Sequence, residues 1–125
     1  MNFISCEVDS EGRSLKSADF KLSISQGLLE RLSVHSGNQL VMGIRPPALK
    51  LEKVPSNGNP RGKVFSVEPR GDSAVALVDI GSHRLLSESS ENLELEEDML
   101  VGLEFPESQL HLFEAETEVR LATDA

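Results

Sequence analysis

The sequence predicts an all-β chain: a small barrel or sandwich of about eight or nine short strands, with one or two helical turns. Three observations carry this. Short apolar runs recur at a spacing of roughly ten residues, most of them alternating with polar residues. Turn formers punctuate these runs, with 9 Gly and 6 Pro in 125 residues. That spacing suits a barrel or sandwich rather than βαβ units.

The elements follow in order. Phe3 to Val8 and Phe20 to Ile24 alternate and read as strands. Ser25 can cap a short helix in which Leu28, Leu29 and Leu32 share one face. Gly37-Asn38 turns the chain into a strand from Leu40 to Arg45, which must stop at Pro46-Pro47 because two amide donors are missing. A short strand runs from Leu49 to Val54. The segment Pro55 to Gly62, with two Pro, two Gly and two Asn, is the most loop-like stretch and divides the sequence into two similar halves. Lys63 to Glu68 and Ala74 to Ile80 flank Pro69-Arg70-Gly71-Asp72-Ser73, the strongest hairpin signal, with Val67, Val75 and Leu77 expected to face the core. His83 to Leu86, Leu100 to Phe105 and Gln109 to Phe113 complete the strands. The last of these is expected beside Phe3 to Val8, because a small barrel must pair its edges. The acidic run Glu88 to Asp98 reads as a solvated edge with Leu93 and Leu95 half-buried. It lacks the glycine turn and alternate oxygen ligands of a calcium loop.

The length fits one domain over 1–125, or two small lobes sharing a core. With 38% hydrophobic residues, no disulfide or metal staple is needed. Nucleic-acid binding is disfavoured by a net charge of −9 and by the absence of Trp and Tyr. An anionic membrane surface repels such a chain, and no apolar run is long enough to span a bilayer. The lone Cys6 excludes an internal disulfide and reads as a small buried hydrophobe. No basic n-region or apolar h-region opens the chain, so a cytoplasmic location is expected.

The catalytic inventory is poor. Gly58 to Val64 imitates a phosphate loop but has three residues between its glycines, a Pro among them, and Val64 where a Mg²⁺-binding hydroxyl belongs. His35, His83 and His111 show no metal-ligand spacing, and no Gly-x-Ser-x-Gly elbow occurs. Arg45, at a strand end, and Arg70, in a hairpin turn, are candidates for oxyanion binding. The plainer reading of Arg45 is an ion pair with a neighbour such as Glu68.

Four segments in order resemble a known family. Met42-Gly43-Ile44-Arg45-Pro46 resembles the "GIRPE" motif of the TOBE (transport-associated OB) regulatory domain of ABC importer ATPases of the maltose and glycerol-phosphate type. Val67 to Val75 resembles the family's "VE-x-x-G-x-E-x-x-V" hairpin. Phe105 to Glu114, containing His111, Leu112 and Phe113, resembles its "F-x-P-E-x-x-H-L-F-D" close, and Met1-Asn2-Phe3 its "MNF" opening. Pro47-Ala48 replaces the usual "EH", and Glu97-Asp98-Met99 lacks the glycine of the usual "E-G-D". The resemblance implies an OB-like small barrel with additional strands. It implies a non-catalytic regulatory and dimerisation domain of a carbohydrate importer's ATP-binding subunit, cytoplasmic at the inner face of the membrane. Its partners would be a second copy, the ATPase core, the importer membrane subunits and, in some members, a regulatory protein. It takes no cofactor, since ATP and Mg²⁺ would bind only the ATPase core that this chain lacks. Relatives with the same barrel bind molybdate or similar oxyanions, so an oxyanion-binding module using Arg45, Arg70 and backbone amides is the alternative.

Overall fold

In the computed structural model the described residues are 1–9, 11, 13–32, 39–56, 58–90, 94–114 and 120–123. The expected Gly37-Asn38 turn, His35 and Leu93 lie outside them.

From Ile4 to Asp9 apolar and polar residues alternate, and this stretch forms most of strand β1 (Asn2–Asp9), with Ile4, Cys6 and Val8 buried. Two short strands follow, β2 (Ser14–Lys16) and β3 (Lys21–Ser23). Helix α1 (Gln26–Leu32) buries Leu28, Leu29 and Leu32 as their spacing requires. Strand β4 (Gln39–Ile44) ends where the two prolines withdraw their donors, and the amides of Ala48 and Leu49 turn back onto the Arg45 carbonyl at 2.9 and 3.2 Å. Next comes β5 (Lys50–Glu52). The second half holds β6 (Arg61–Arg70), β7 (Ser73–Ile80), β8 (His83–Ser89), β9 (Leu100–Glu104), a 3-10 turn at Glu107–Gln109, β10 (His111–Glu114) and β11 (Arg120–Thr123).

All pairings are antiparallel and form two sheets, ordered β11-β10-β4-β1-β2-β3 and β5-β9-β6-β7-β8. The halves repeat one plan: β4-β1-β2-β3 in the first matches β9-β6-β7-β8 in the second. Each half then gives its next strand away. β5 leaves β4 and pairs with β9, with Leu51 opposite Leu103. β10 leaves β9 and pairs with β4, with Leu112 opposite Met42. One continuous core runs through both halves, from Ile4 and Leu40 to Val78 and Leu103.

The edge strand β8 is blunted from the other half. The Asn2 side chain donates to the Leu86 carbonyl and accepts from the Leu86 amide, both at 2.8 Å. The Glu88 amide donates to the Pro46 carbonyl at 2.9 Å, and the Ser87 hydroxyl to the Leu49 carbonyl at 2.7 Å. These bonds bring β8 against the β5 segment, so the five-stranded sheet curls until its edges meet, a small barrel without an open edge there.

Three expectations are corrected. The tail strand does not lie beside the first strand: β10 pairs with β4, which stands between it and β1. Leu77 is only half-buried, and Ala76, Val78 and Ile80 are the core residues of β7. Val67 packs against the core as expected, and Val75 is buried outside the core cluster. Finally, β2 and β11 are strands that the sequence pattern did not announce.

Candidate functional site

The sequence-predicted residues separate into scaffold and surface. Ile44 and Leu112 are wholly buried in the core. Gly43 lies opposite Phe3 on one side and His111 on the other. A side chain at Gly43 would meet Met1 Sδ at 2.7 Å and the Phe3 ring at 3.3 Å, so the glycine lets these two lie across the sheet. Pro46 supplies the carbonyl that blunts β8. His111 and Phe113 are half-buried on β10.

Arg45 does not pair with Glu68. Glu68 faces Arg70 at 3.5 Å, two residues away on the same strand, with both side chains more than half exposed. Such a pair contributes little to stability. Arg45 and Arg70 share no pocket. Arg45 lines an open depression of about 460 Å³ with Lys50, Ser108 and Gln109, formed where the two exchanged segments 45–50 and 106–109 run side by side. Neither Arg45 nor Lys50 has an ion-pair partner among the described residues. The depression therefore gathers two positive charges, a hydroxyl and an amide in a chain of net charge −9.

Three polar clusters were not anticipated. Glu107, in the Phe105-Pro106-Glu107 stretch, reaches the helix start: its carboxylate accepts from the Ser25 amide at 2.8 Å and from the Ser25 hydroxyl at 2.6 Å. The same hydroxyl accepts from the Leu28 amide at 3.2 Å, the ordinary capping bond. Asp19, between β2 and β3, accepts from the Ser82 amide at 3.2 Å and hydroxyl at 3.0 Å, and contacts His83 Nδ1 at 2.8 Å. The Ser82 amide first, then His83 and the Ser82 hydroxyl, hold the Asp19 carboxyl below its usual value. Ser82 bonds to the aspartate and not to the imidazole, so the trio is a clamp between halves rather than a hydrolytic triad. Arg84 is gripped by Asp79 at 2.7 and 3.1 Å and lies 3.5 Å over the Phe65 ring. The Glu107–Ser25 and Asp19–His83 pairs leave no local spacing to read, whereas Asp79 and Arg84 face each other across the β7–β8 turn. Burial, and secondarily Glu7, push the Cys6 thiol up to about 12, which makes it inert. Among the described residues no three His, Cys, Asp or Glu side chains gather as a metal site.

A second cavity, of about 360 Å³, opens at one end of the five-stranded barrel. Its floor is two cross-strand rows, Val67–Ala76–Ser87 and Pro69–Ala74–Ser89.

Two antiparallel sheets exchanging strands around one core define a small OB-like β domain. The TOBE domain family matches residues 42–113, and the chain belongs to that family. Among solved structures, the cytoplasmic molybdate-binding protein ModG, in a PEG-grown form with molybdate bound, is similar in fold, with a TM-score of 0.68 at 14% identity over 89% of this chain and 94% of that one. No curated protein matches the chain. No helix among the described residues is long and apolar enough to cross a membrane.

Proposed function

We propose that the chain is a non-catalytic regulatory and assembly domain of the kind carried by ABC importer ATP-binding subunits of carbohydrate-importer type. The observation that carries this reading is the Asn2 clamp. The first residues of β1 are bonded through one buried side chain to Leu86 in the other half. A nucleotide-binding core joined ahead of Met1 is thereby coupled to both sheets at once. In this reading ATP and Mg²⁺ bind the core, and the domain acts at the inner face of the membrane. There it meets the importer's membrane subunits, a regulatory protein and, across a two-fold axis, a second copy. The test is a chimera with a sugar-importer ATPase core fused ahead of Met1. Its expected behaviour is dimerisation and ATP hydrolysis that responds to the loaded binding protein, with the response weakened by Asn2→Ala. A chimera indistinguishable from the bare core overturns the proposal.

A second reading is favoured by the Arg45–Lys50 depression and by the fold similarity to a molybdate-binding protein. Here the domain binds a small tetrahedral oxyanion, with Arg45 as a bidentate donor and Lys50 as a point charge. Arg70, tied to Glu68 and outside this depression, is not part of it. A ligand at one hundred times its dissociation constant adds about 2.7 kcal/mol of stability. Thermal midpoints are therefore measured with molybdate, tungstate and sulfate. A rise that Arg45→Ala abolishes supports this reading, and an unchanged midpoint with all three removes it.

A further inference from the structure

The outer face of the five-stranded sheet carries an apolar patch of its own. Val64 and Val78 face the core opposite each other, so the neighbouring pairs Lys63–Asp79 and Ser66–Leu77 face outward. Leu77 lies at the centre of that face, between Ser66 on β6 and Leu86 on β8. Phe65, at the bulge, and Leu86 are 48% and 38% exposed. Val75, two residues along β7, is buried without joining the core.

Charged groups stand on both sides of Leu77. On one side Lys63, Asp79 and Arg84 are in register, and on the other Glu68, Val75 and Glu88. Asp79 grips Arg84, and Glu68 faces Arg70. Lys63 and Glu88 have no ion-pair partner among the described residues. These two lie diagonally across Leu77, Lys63 one strand to its left and two residues above, Glu88 one strand to its right and two residues below. A two-fold axis lying in the interface over Leu77, at right angles to that diagonal, turns the face onto itself. Leu77 then meets Leu77, and Lys63 of each copy meets Glu88 of the other.

Strand addition is closed on the β8 side, where the amides of Leu86 and Glu88 are bonded to Asn2 and Pro46. Contact there must be face to face. We propose that the outer face of the five-stranded sheet docks a second copy of this chain, with Phe65, Leu77 and Leu86 at its centre and two symmetric Lys63–Glu88 ion pairs at its rim. The occupant is a second copy because an unpaired ammonium and an unpaired carboxylate, placed evenly about one apolar centre, make the patch complementary to itself. By giving the second copy a surface, the proposal deepens the regulatory reading above and rests on it.

The test is sedimentation of the whole chain at about 0.15 M salt, which screens the long-range repulsion between two copies of charge −9. A concentration-dependent dimer is expected. Lys63→Glu and Glu88→Lys should each weaken it about tenfold, since both symmetric pairs become repulsive. The double variant, with the charges exchanged, should restore it. Far-UV circular dichroism checks that these exposed-face variants stay folded, and Phe65→Ser should weaken the dimer without any change of charge. Carbodiimide treatment of mixed light and isotope-labelled chains should join Lys63 of one copy to Glu88 of the other. Within one chain the two are roughly 17 Å apart, too far for a zero-length link. A dimer that neither charge variant weakens, that the double variant fails to restore, or that cross-links elsewhere overturns this surface and leaves the regulatory reading standing. A monomer at every concentration also overturns the surface, and the importer chimera then decides the regulatory reading separately.

Discussion

Glu107 shows how a motif residue can be conspicuous in a sequence while its task stays hidden. Its carboxylate is 82 positions from Ser25, and nothing local announces that it completes the cap of α1. Ser25 itself was legible, because a serine ahead of an apolar helical face is a local signal. Ser25→Ala removes the Leu28 bond and the hydroxyl bond to Glu107, and should cost about 0.5–2 kcal/mol. Glu107→Ala should destabilise in the same direction, while Glu107→Gln, which keeps one acceptor, should lose less. Urea unfolding of the three variants checks the order, and a neutral Glu107→Ala contradicts the cap. Asp19 offers a pH test. Its hydrogen bonds from Ser82 and His83 favour the ionised carboxylate and lower its folded value. The stabilisation is fully present above the unfolded value of about 4 and is lost as pH falls through the lower folded value. The stability difference between wild type and Asp19→Asn should therefore be constant above about pH 5 and shrink below pH 4. A difference that grows on acidification would reverse the sign and refute the clamp. Gly81→Ala should give the same loss by another route, since Gly81 has φ +56° and a side chain there would strike Asp19.

At the scale of the element, β6 and β7 show where pattern reading succeeds and where it slips. The hairpin, its turn and its two runs were legible, because β-branched residues around Pro-Arg-Gly-Asp have few other uses. The facing of β7 was not. A bulge interrupts β6 between Val64 and Ser66, so Val64 faces Val78, while Ser66 faces Leu77 and Val67 faces Ala76. One extra residue reverses the alternation along β6. Val64 before the bulge and Val67 after it both turn inward, while β7 keeps its own alternation with Ala76, Val78 and Ile80 inward. Phe65 is left at the surface, 48% exposed, where Arg84 covers it. The consequence is measurable. Leu85→Ala, at a residue 2% exposed, should cost about 2–5 kcal/mol. Leu77→Ala, half-buried on the other face, should cost less than about 1.5 kcal/mol, since only part of its side chain leaves water. Equal losses in denaturant titrations would mean that the inward face of β7 and β8 is assigned wrongly.

At the scale of the molecule, the two similar halves were visible on either side of the Pro55–Gly62 loop, but the exchange between them was not. Composition and periodicity mark where strands are, and do not say which neighbour each strand chooses. The choice is made by the crossovers. Pro46-Pro47 ends β4 and throws β5 toward β9. The 3-10 turn at Glu107–Gln109, docked on Ser25, throws β10 toward β4. Each half thus completes the other's sheet, and each buries apolar residues that it cannot cover alone: Met42 and Leu40 need β10, and Leu103 needs β5. Breaking the connection between β5 and β6 should therefore leave two fragments, 1–56 and 58–125, that are each without cooperative structure, because each lacks an edge partner and exposes half of one core. Mixed at equal concentration they should recover the far-UV circular dichroism of the intact chain, with a melting midpoint that rises with concentration as for any bimolecular fold. The Glu52 carboxylate, bonded to Ser56 and Asn59, holds the two sides of the cut together in the intact chain. Asn59→Ala should then lower the midpoint of the intact chain and of the reassembled pair alike. A cooperative melt from fragment 1–56 alone would show that β10 is dispensable to the first sheet, and the reciprocal exchange of strands would lose its place as the organising feature of the fold.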